Sequence, residues 1–242
     1  MNFETPLVKG TLIRRHSRFL ADIELSTGEF ITAHTSNTGS MLGCQNPGST
    51  VWLSQSDNPK RKYPFTWEII EVESTGGFVS VGINTMRSNL LVREAIENST
   101  VQALQGYDNI RTEVKYGEEN SRIDLLLESA NHGSENLPSC YVEVKNVTLV
   151  ENSTAYFPDA VSKRGAKHLR ELREVVRQGK RGVIFFCIQR DDVKEFRPAD
   201  SIDPEYGRYL REAVANGVES IAYVSSVSNI KIELKNQVPV II

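Results

Sequence analysis

Cysteine is scarce in this sequence, with three in 242 residues. Cys44, Cys140 and Cys187 stand far apart and form no metal-type spacing, and their odd number suits a reducing cytoplasm. Long apolar runs are also missing. The longest strongly apolar stretch, Val183 to Ile188, is far too short to cross a bilayer. Met1-Asn2-Phe3-Glu4-Thr5-Pro6 lacks a basic region followed by an apolar one, so it does not read as a secretory signal. A cytoplasmic protein with no membrane partner is the expectation. No internal repeat, low-complexity tract or disorder-type composition is present. Nor is there an excess of positive charge: 28 Lys and Arg against 31 Asp and Glu leave a net charge of −3. That argues against a uniformly basic nucleic-acid binder and leaves room for local basic patches.

Three such patches exist. Arg14-Arg15-His16-Ser17-Arg18 is the first and Lys60-Arg61-Lys62 the second. The third runs from Lys163 through Arg164, Lys167, Arg170, Arg173, Arg177 and Lys180 to Arg181, against Glu171 and Glu174 alone. A solvated helix face explains that run as well as phosphate binding does.

The chain changes character near Gly82. Before it, short strand-like runs alternate with turns (Leu12 to Arg15, Phe19 to Leu25, Phe30 to His34, Val51 to Leu53, Thr66 to Val72). This pattern predicts a small antiparallel barrel over residues 1 to 82. After it, the order over residues 83 to 242 is helix, three strands, helix, strand, helix, strand, a mixed α/β unit. Ser162 and Gly179 bracket one helix as cap and stop. Asp203-Pro204 opens another, which Asn216-Gly217 closes. With no long linker between them, the two domains should pack together.

The chemistry concentrates on the second and third strands of the second domain. Ile123-Asp124-Leu125-Leu126-Leu127 places one acid in an otherwise apolar strand, where an ionised carboxylate is costly unless it is paired or holds a cation. In Tyr141-Val142-Glu143-Val144-Lys145, alternation puts Glu143 and Lys145 on one face. Neighbouring strands can gather Asp124, Glu143 and Lys145. Two hard carboxylates, with the Val144 carbonyl, suit Mg²⁺ or Mn²⁺, and Lys145 could polarise a water beside a phosphodiester. A same-face Glu–Lys ion pair is the plainer explanation of the same residues.

These residues resemble the Asp…Glu-x-Lys signature of the PD-(D/E)XK nuclease superfamily. Longer stretches are similar to the sugar fermentation stimulation protein (SfsA) family: His34 to Met41, Arg61 to Glu68, Ser121 to Asp124, Tyr141 to Leu149 and Phe157 to Leu169. The resemblance implies an N-terminal OB-like β-barrel and a C-terminal restriction-endonuclease-like αβββαβ domain. It also implies DNA binding of low sequence specificity, and a link to regulation of sugar (maltose) metabolism in bacteria. It leaves open a transcriptional regulator without catalysis, and an enzyme acting on RNA.

Further candidates follow. Glu94, in the helix before the three strands, falls where this superfamily often carries a supporting acid; Glu113 is a weaker one. Both also fit solvent-facing positions. Arg164 and His168, four apart on one helix face, could hold phosphate with Lys163 and Lys167. Arg14, Arg15, Arg61, Lys62 and Arg122 complete the expected DNA surface. Among the barrel aromatics Phe19, Trp52, Tyr63, Phe65 and Trp67, Tyr63 is the best placed to stack on a base. The turn Asn37-Thr38-Gly39-Ser40 is either only a turn or a donor of backbone N–H groups to phosphate.

Overall fold

Alternating inward and outward residues curl the first five strands into a closed barrel. In the computed structural model, which describes residues 1–117, 121–129 and 137–242, these are β1 (Val8–His16), β2 (Leu20–Leu25), β3 (Phe30–His34), β4 (Thr50–Gln55) and β5 (Phe65–Ser74). Hydrogen-bonded neighbours run β3-β2-β1-β4-β5, and a β3–β5 pairing at His34 and Thr66 closes the ring. Leu12, Ile23, Met41, Leu53, Trp67 and Ile70 fill it. This is the OB-like barrel expected from the alternation. A sixth strand, β6 (Gly77–Gly82), forms a hairpin with β5 outside the ring; its exposed Phe78 and four-residue polar approach hid it in the sequence.

After β6 come a short 3₁₀ turn (Thr85–Arg87), α1 (Ser88–Glu97), and the antiparallel strands β7 (Asn109–Tyr116), β8 (Ser121–Glu128) and β9 (Cys140–Val147). A small hairpin follows, β10 (Leu149–Glu151) and β11 (Thr154–Phe157), then α2 (Lys163–Arg177), β12 (Arg181–Ile188), β13 (Glu195–Pro198), α3 (Pro204–Ala215), β14 (Glu219–Val227) and β15 (Ile232–Val238). The large sheet has the order β15-β14-β12-β9-β8-β7, with β9 and β14 parallel to β12. It carries α1 on one face, over Leu125, Val142 and Phe185, and α2 with α3 on the other, over Leu126, Ile184 and Phe186. The expected helix boundaries hold: Ser162 Oγ accepts the Gly165 N–H, Gly179 adopts φ 79°, and Asp203 caps α3. Strands β10, β11, β13 and β15 carry no clear signal in the sequence. Three of them are short, and β15 is a polar edge strand.

The barrel and the large sheet are joined by buried polar groups. Glu68 on β5, 1% exposed, receives Arg87 at 2.5 and 2.8 Å, Asn84 Nδ2 at 2.9 Å and Ser54 Oγ at 2.7 Å. The Gln189 side chain, fully buried, donates to Asn146 Oδ1, and its backbone carbonyl accepts the Gly82 N–H. Residues 1–3, within the segment the sequence assigns to the barrel, instead cross to the large sheet. There the backbone of Asn2 bridges to Lys231, and Phe3 donates to the Ile230 carbonyl.

Removing one partner of a buried ion pair strands the other charge, at a cost of about 3–5 kcal/mol. Arg87→Ala is therefore expected to lower unfolding stability in urea by that order. A loss under about 1 kcal/mol would show that the Arg87–Glu68 pair contributes no more than an exposed ion pair.

Candidate metal centre

The centre is built where two strands part. The β8–β9 ladder ends at Leu125 and Val142. One residue further along β8, the Asp124 side chain replaces the missing backbone partner: its Oδ2 accepts the Val144 N–H at 2.7 Å. Its Oδ1 accepts from Asn89 Nδ2, on the first turn of α1, at 2.9 Å. On the opposite edge of β8, pairing with β7 also lapses at this position, where Glu113 takes the left-handed conformation with φ 54°. A non-glycine residue in that region is strained, and such strain gathers at functional sites.

Glu143, 2% exposed, points from β9 toward α2. Its Oε1 receives Lys145 Nζ at 2.6 Å and a short contact from His168 Nδ1. His168 Nδ1 also lies 3.2 Å from Lys145 Nζ, and Arg164 Nε donates to His168 Nε2 at 3.3 Å. Glu143 Oε2 is buried with no hydrogen-bond partner among the described residues. Burial opposes ionisation of Glu143, but Lys145 and His168 outweigh it and hold the carboxyl below its usual range. Asp124 shows the reverse. Burial and then the charge of Glu143 push it up to about 6, against the N–H of Val144, Lys145 and Asn89. One carboxylate is compensated and its neighbour is left short of positive charge.

Both acids line a cleft of about 380 Å³. Lys145, Val144, Arg164 and His168 share its walls, and so do Asn146, Tyr156 and Asp159. The opposite wall belongs to the barrel, formed by Ser36, Asn37, Thr38 and Gly39. Among the described residues, no group of three or more His, Cys, Asp and Glu side chains forms a ready metal cage. Two carboxylates beside solvent is the donor set that Mg²⁺ accepts, since that ion keeps several of its waters.

The structure thus brings Asp124, Glu143, Lys145, Arg164 and His168 together. It does not bring Glu94 to them: that carboxylate, 47% exposed, pairs with the Met1 ammonium at 2.5 Å. Asn89, five residues earlier, reaches Asp124 in its place. Glu113 is exposed on β7 and does not line the cleft. Lys163 is exposed and Lys167 half-buried on the first turns of α2, and Arg122 is exposed two residues before Asp124. In the barrel, Arg14 pairs with Asp22 at 2.8 Å. The Nη2 of Arg15 is committed to the carbonyls of Arg18, Asn37 and Gly39 at 2.9–3.0 Å. Arg61 donates to Thr66 Oγ1 at 3.0 Å, and Lys62 Nζ sits 5.2 Å from the centre of the Tyr63 ring. Trp67 is wholly core, Trp52 donates to Glu71, Phe65 is half-buried, and Phe19 is 48% exposed. Asn89, Asn146 and Asp159 were missed. Asp159 carried a signal, lying within the Phe157-to-Leu169 stretch of resemblance; a single Asn at a helix start carries none.

With the cleft described, comparison with known proteins adds lineage. Residues 13–81 match the SfsA N-terminal OB domain, and residues 86–231 match the sugar fermentation stimulation protein RE domain. The chain belongs to the sugar fermentation stimulation protein family. Among its relatives, the homolog of Geobacter metallireducens is 57% identical, over 100% of both chains. That of Geobacter sulfurreducens is 57% identical, covering 98% of this chain and 97% of the relative. The solved structure of Pyrococcus furiosus SfsA in complex with Ca²⁺ is 28% identical and superposes with a TM-score of 0.86, over 100% of this chain and 98% of that one. The family architecture, an OB barrel followed by a restriction-endonuclease-like domain, is the one described above. The cleft of this family member lies between the two.

The raised Asp124 carboxyl has a direct consequence for stability. A carboxyl whose folded-state pKa lies above its unfolded value binds its proton more tightly when folded, so stability falls as pH rises from about 4 through about 6. Two units correspond to about 3 kcal/mol. Asp124→Asn is expected to flatten the metal-free stability profile between pH 4 and pH 7. A profile identical to wild type would show that Asp124 titrates normally.

Proposed function

We propose that this protein binds DNA with low sequence specificity and hydrolyses phosphodiesters at the Asp124–Glu143–Lys145 centre with Mg²⁺ or Mn²⁺. The observation that carries the reading is the unpartnered, buried Oε2 of Glu143 in a cleft shared with Asp124. A buried anionic oxygen without a donor is costly, and a second carboxylate beside it adds repulsion. A divalent cation relieves both costs. The Ca²⁺ held by the Pyrococcus furiosus relative supports the same reading.

Asp124 and Glu143 would hold the ion, with Val144 between them in the cleft wall. When bound, the cation supplies Lewis-acid stabilisation of charge developing on the phosphate. The chain's own groups do the rest. Lys145 Nζ donates to Glu143 Oε1 and lies 3.2 Å from His168 Nδ1, which leaves at least one proton for an attacking water or a phosphate oxygen. Glu143 in turn fixes where that ammonium stands. His168 holds Glu143 and, through Nε2, orients Arg164, whose Nη atoms stay available for a phosphate in bidentate geometry. Asn89 fixes the second Asp124 oxygen. Weak sequence preference follows because the cations at the barrel end and on α2 would contact phosphate, which carries no sequence information.

Calorimetry at pH 5.5 and pH 8 tests the centre. Mg²⁺ or Mn²⁺ should bind wild type at both values and release protons at the lower one, because Asp124 must ionise. Asp124→Asn should weaken binding and abolish cleavage of DNA. Lys145→Ala should leave metal binding in place and abolish cleavage. Absence of cation binding, with or without DNA, would remove the catalytic part and leave a DNA-binding regulator.

DNA affinity should fall steeply with added salt, in proportion to the phosphates contacted. A flat response, or a strong preference for one short sequence, would count against electrostatic, unspecific binding.

A further inference from the structure

The Ser36–Gly39 turn is held too firmly, and too close to the two carboxylates, to be an incidental neighbour. The Arg15 guanidinium binds the carbonyls of Asn37 and Gly39 from the barrel side. From the other side Asp159, on the segment between β11 and α2, accepts the Met41 N–H at 2.8 Å through Oδ2 and the Ser40 hydroxyl through its carbonyl. A Cβ on Gly39 would meet the Asp159 carboxylate at 2.9 Å, so the two segments are in contact. The turn is therefore a fixed wall. Its exposed residue, Thr38, lines the cleft and makes no hydrogen bond with another described residue.

The strand register shows what adjoins that wall. His16 pairs with Leu20, Leu20 with His34, His34 with Thr66, and Phe65 with Gln55. The β1–β2 turn, the end of β3 and the β4–β5 loop therefore lie at one end of the barrel, and the wall emerges from that same end. The Thr35 N–H bonds the Phe19 carbonyl at 2.7 Å, tying the turn to the wall. This end carries Arg18 and the half-exposed Phe19 on one loop, and Arg61, Lys62 and Tyr63 on the other. Aromatic rings interleaved with cations stack on bases that are not already stacked in a duplex.

We propose that the cleft takes single-stranded nucleic acid, led in over the barrel end bearing Phe19 and Tyr63, with the Ser36–Gly39 wall excluding a continuous duplex. The inference rests on the reading of the centre as a phosphodiester site. At about 380 Å³ between two fixed walls, the cleft is near the small end of the ~300–1,000 Å³ range of small-molecule pockets. That is space for a nucleotide or two. A phosphate passing Thr38 meets an unengaged hydroxyl on one side and Lys145 with Arg164 on the other.

The test uses the full chain in EDTA, so that binding is read without turnover. Fluorescent 20-nucleotide probes are single-stranded DNA, single-stranded RNA of the same sequence, and blunt duplex DNA. Wild type should bind a single strand at least tenfold tighter than the duplex. Phe19→Ala and Tyr63→Ala should each reduce single-strand affinity about tenfold and leave duplex affinity unchanged. Phe19 is half exposed, so its variant should fold, and an unchanged melting temperature checks this. Asp159→Ala, which frees the wall, should narrow the gap between single strand and duplex. Preference for either sugar among single strands keeps the inference and assigns the polymer. Equal affinity for single strand and duplex, or insensitivity to both aromatic substitutions, overturns it and leaves the phosphodiester reading standing. Binding of none of the three probes overturns both.

Discussion

A carboxylate in the middle strand of an apolar sheet must find compensation, and most of the second domain can be traced to how Glu143 finds it. Lys145 on the same strand face provides one partner. The other, His168, requires α2 to lie low over β9. In the same turn Gly165 lets α2 pack closely on α3, since an added Cβ would meet Ser162 Oγ at 2.9 Å and the Tyr206 ring at 3.0 Å. Replacing such a cluster by apolar side chains is often neutral or stabilising. Its presence in a cleft, with one oxygen left unpartnered and a neighbouring acid shifted upward, is what functional sites do with perturbed groups. The lapse in the β8–β9 ladder belongs to the same arrangement. It frees the Val144 N–H for Asp124, while the register that would set Asp124 opposite Glu143 already puts both acids on one face.

The joint between barrel and sheet obeys a similar rule at lower stakes. Glu68, Arg87, Asn84, Ser88, Asn146 and Gln189 are polar and largely buried. They hydrogen-bond to each other across several elements rather than within one. Such networks are specific because each member has a fixed geometry to meet, and a shifted domain would leave several groups unpaired. The position of the barrel wall over the carboxylates is thereby set by hydrogen bonds at the base of α1 as well as by Arg15 and Asp159.

Much of this could be read from the sequence, and the division has physical causes. An acid inside Ile-Asp-Leu-Leu-Leu is visible because apolar strands do not carry charge without reason. Strict alternation placed Glu143 and Lys145 on one face. Ser162 with Gly179, and Asp203 with Pro204, marked helix ends because caps are local chemistry. The failures are non-local or rotational. Helical periodicity identifies which face of α1 is buried, but not which polar residue meets a strand 35 positions later. Asn89 does so, and Glu94, five residues on, is turned about 140° away at 3.6 residues per turn. The basic clusters show the limit of counting charge. Arg15 was visible as a cation, but its commitment to backbone carbonyls could not be seen. Short strands such as β10 and β11 lack the length that makes a period measurable.

The contacts that pin the wall, Ser40 and Met41 to Asp159, join positions 119 and 118 residues apart. Contacts of that separation form late, because loop-closure entropy must be overcome before they return anything. Synthesis delivers the barrel first and the acids afterwards. Neither half holds a complete cleft, so under the phosphodiester reading proposed above assembly itself would act as a safeguard. A nascent or half-folded chain carries the basic loops and can touch a nucleic acid, but it has no enclosed centre until the last docking step has joined both walls.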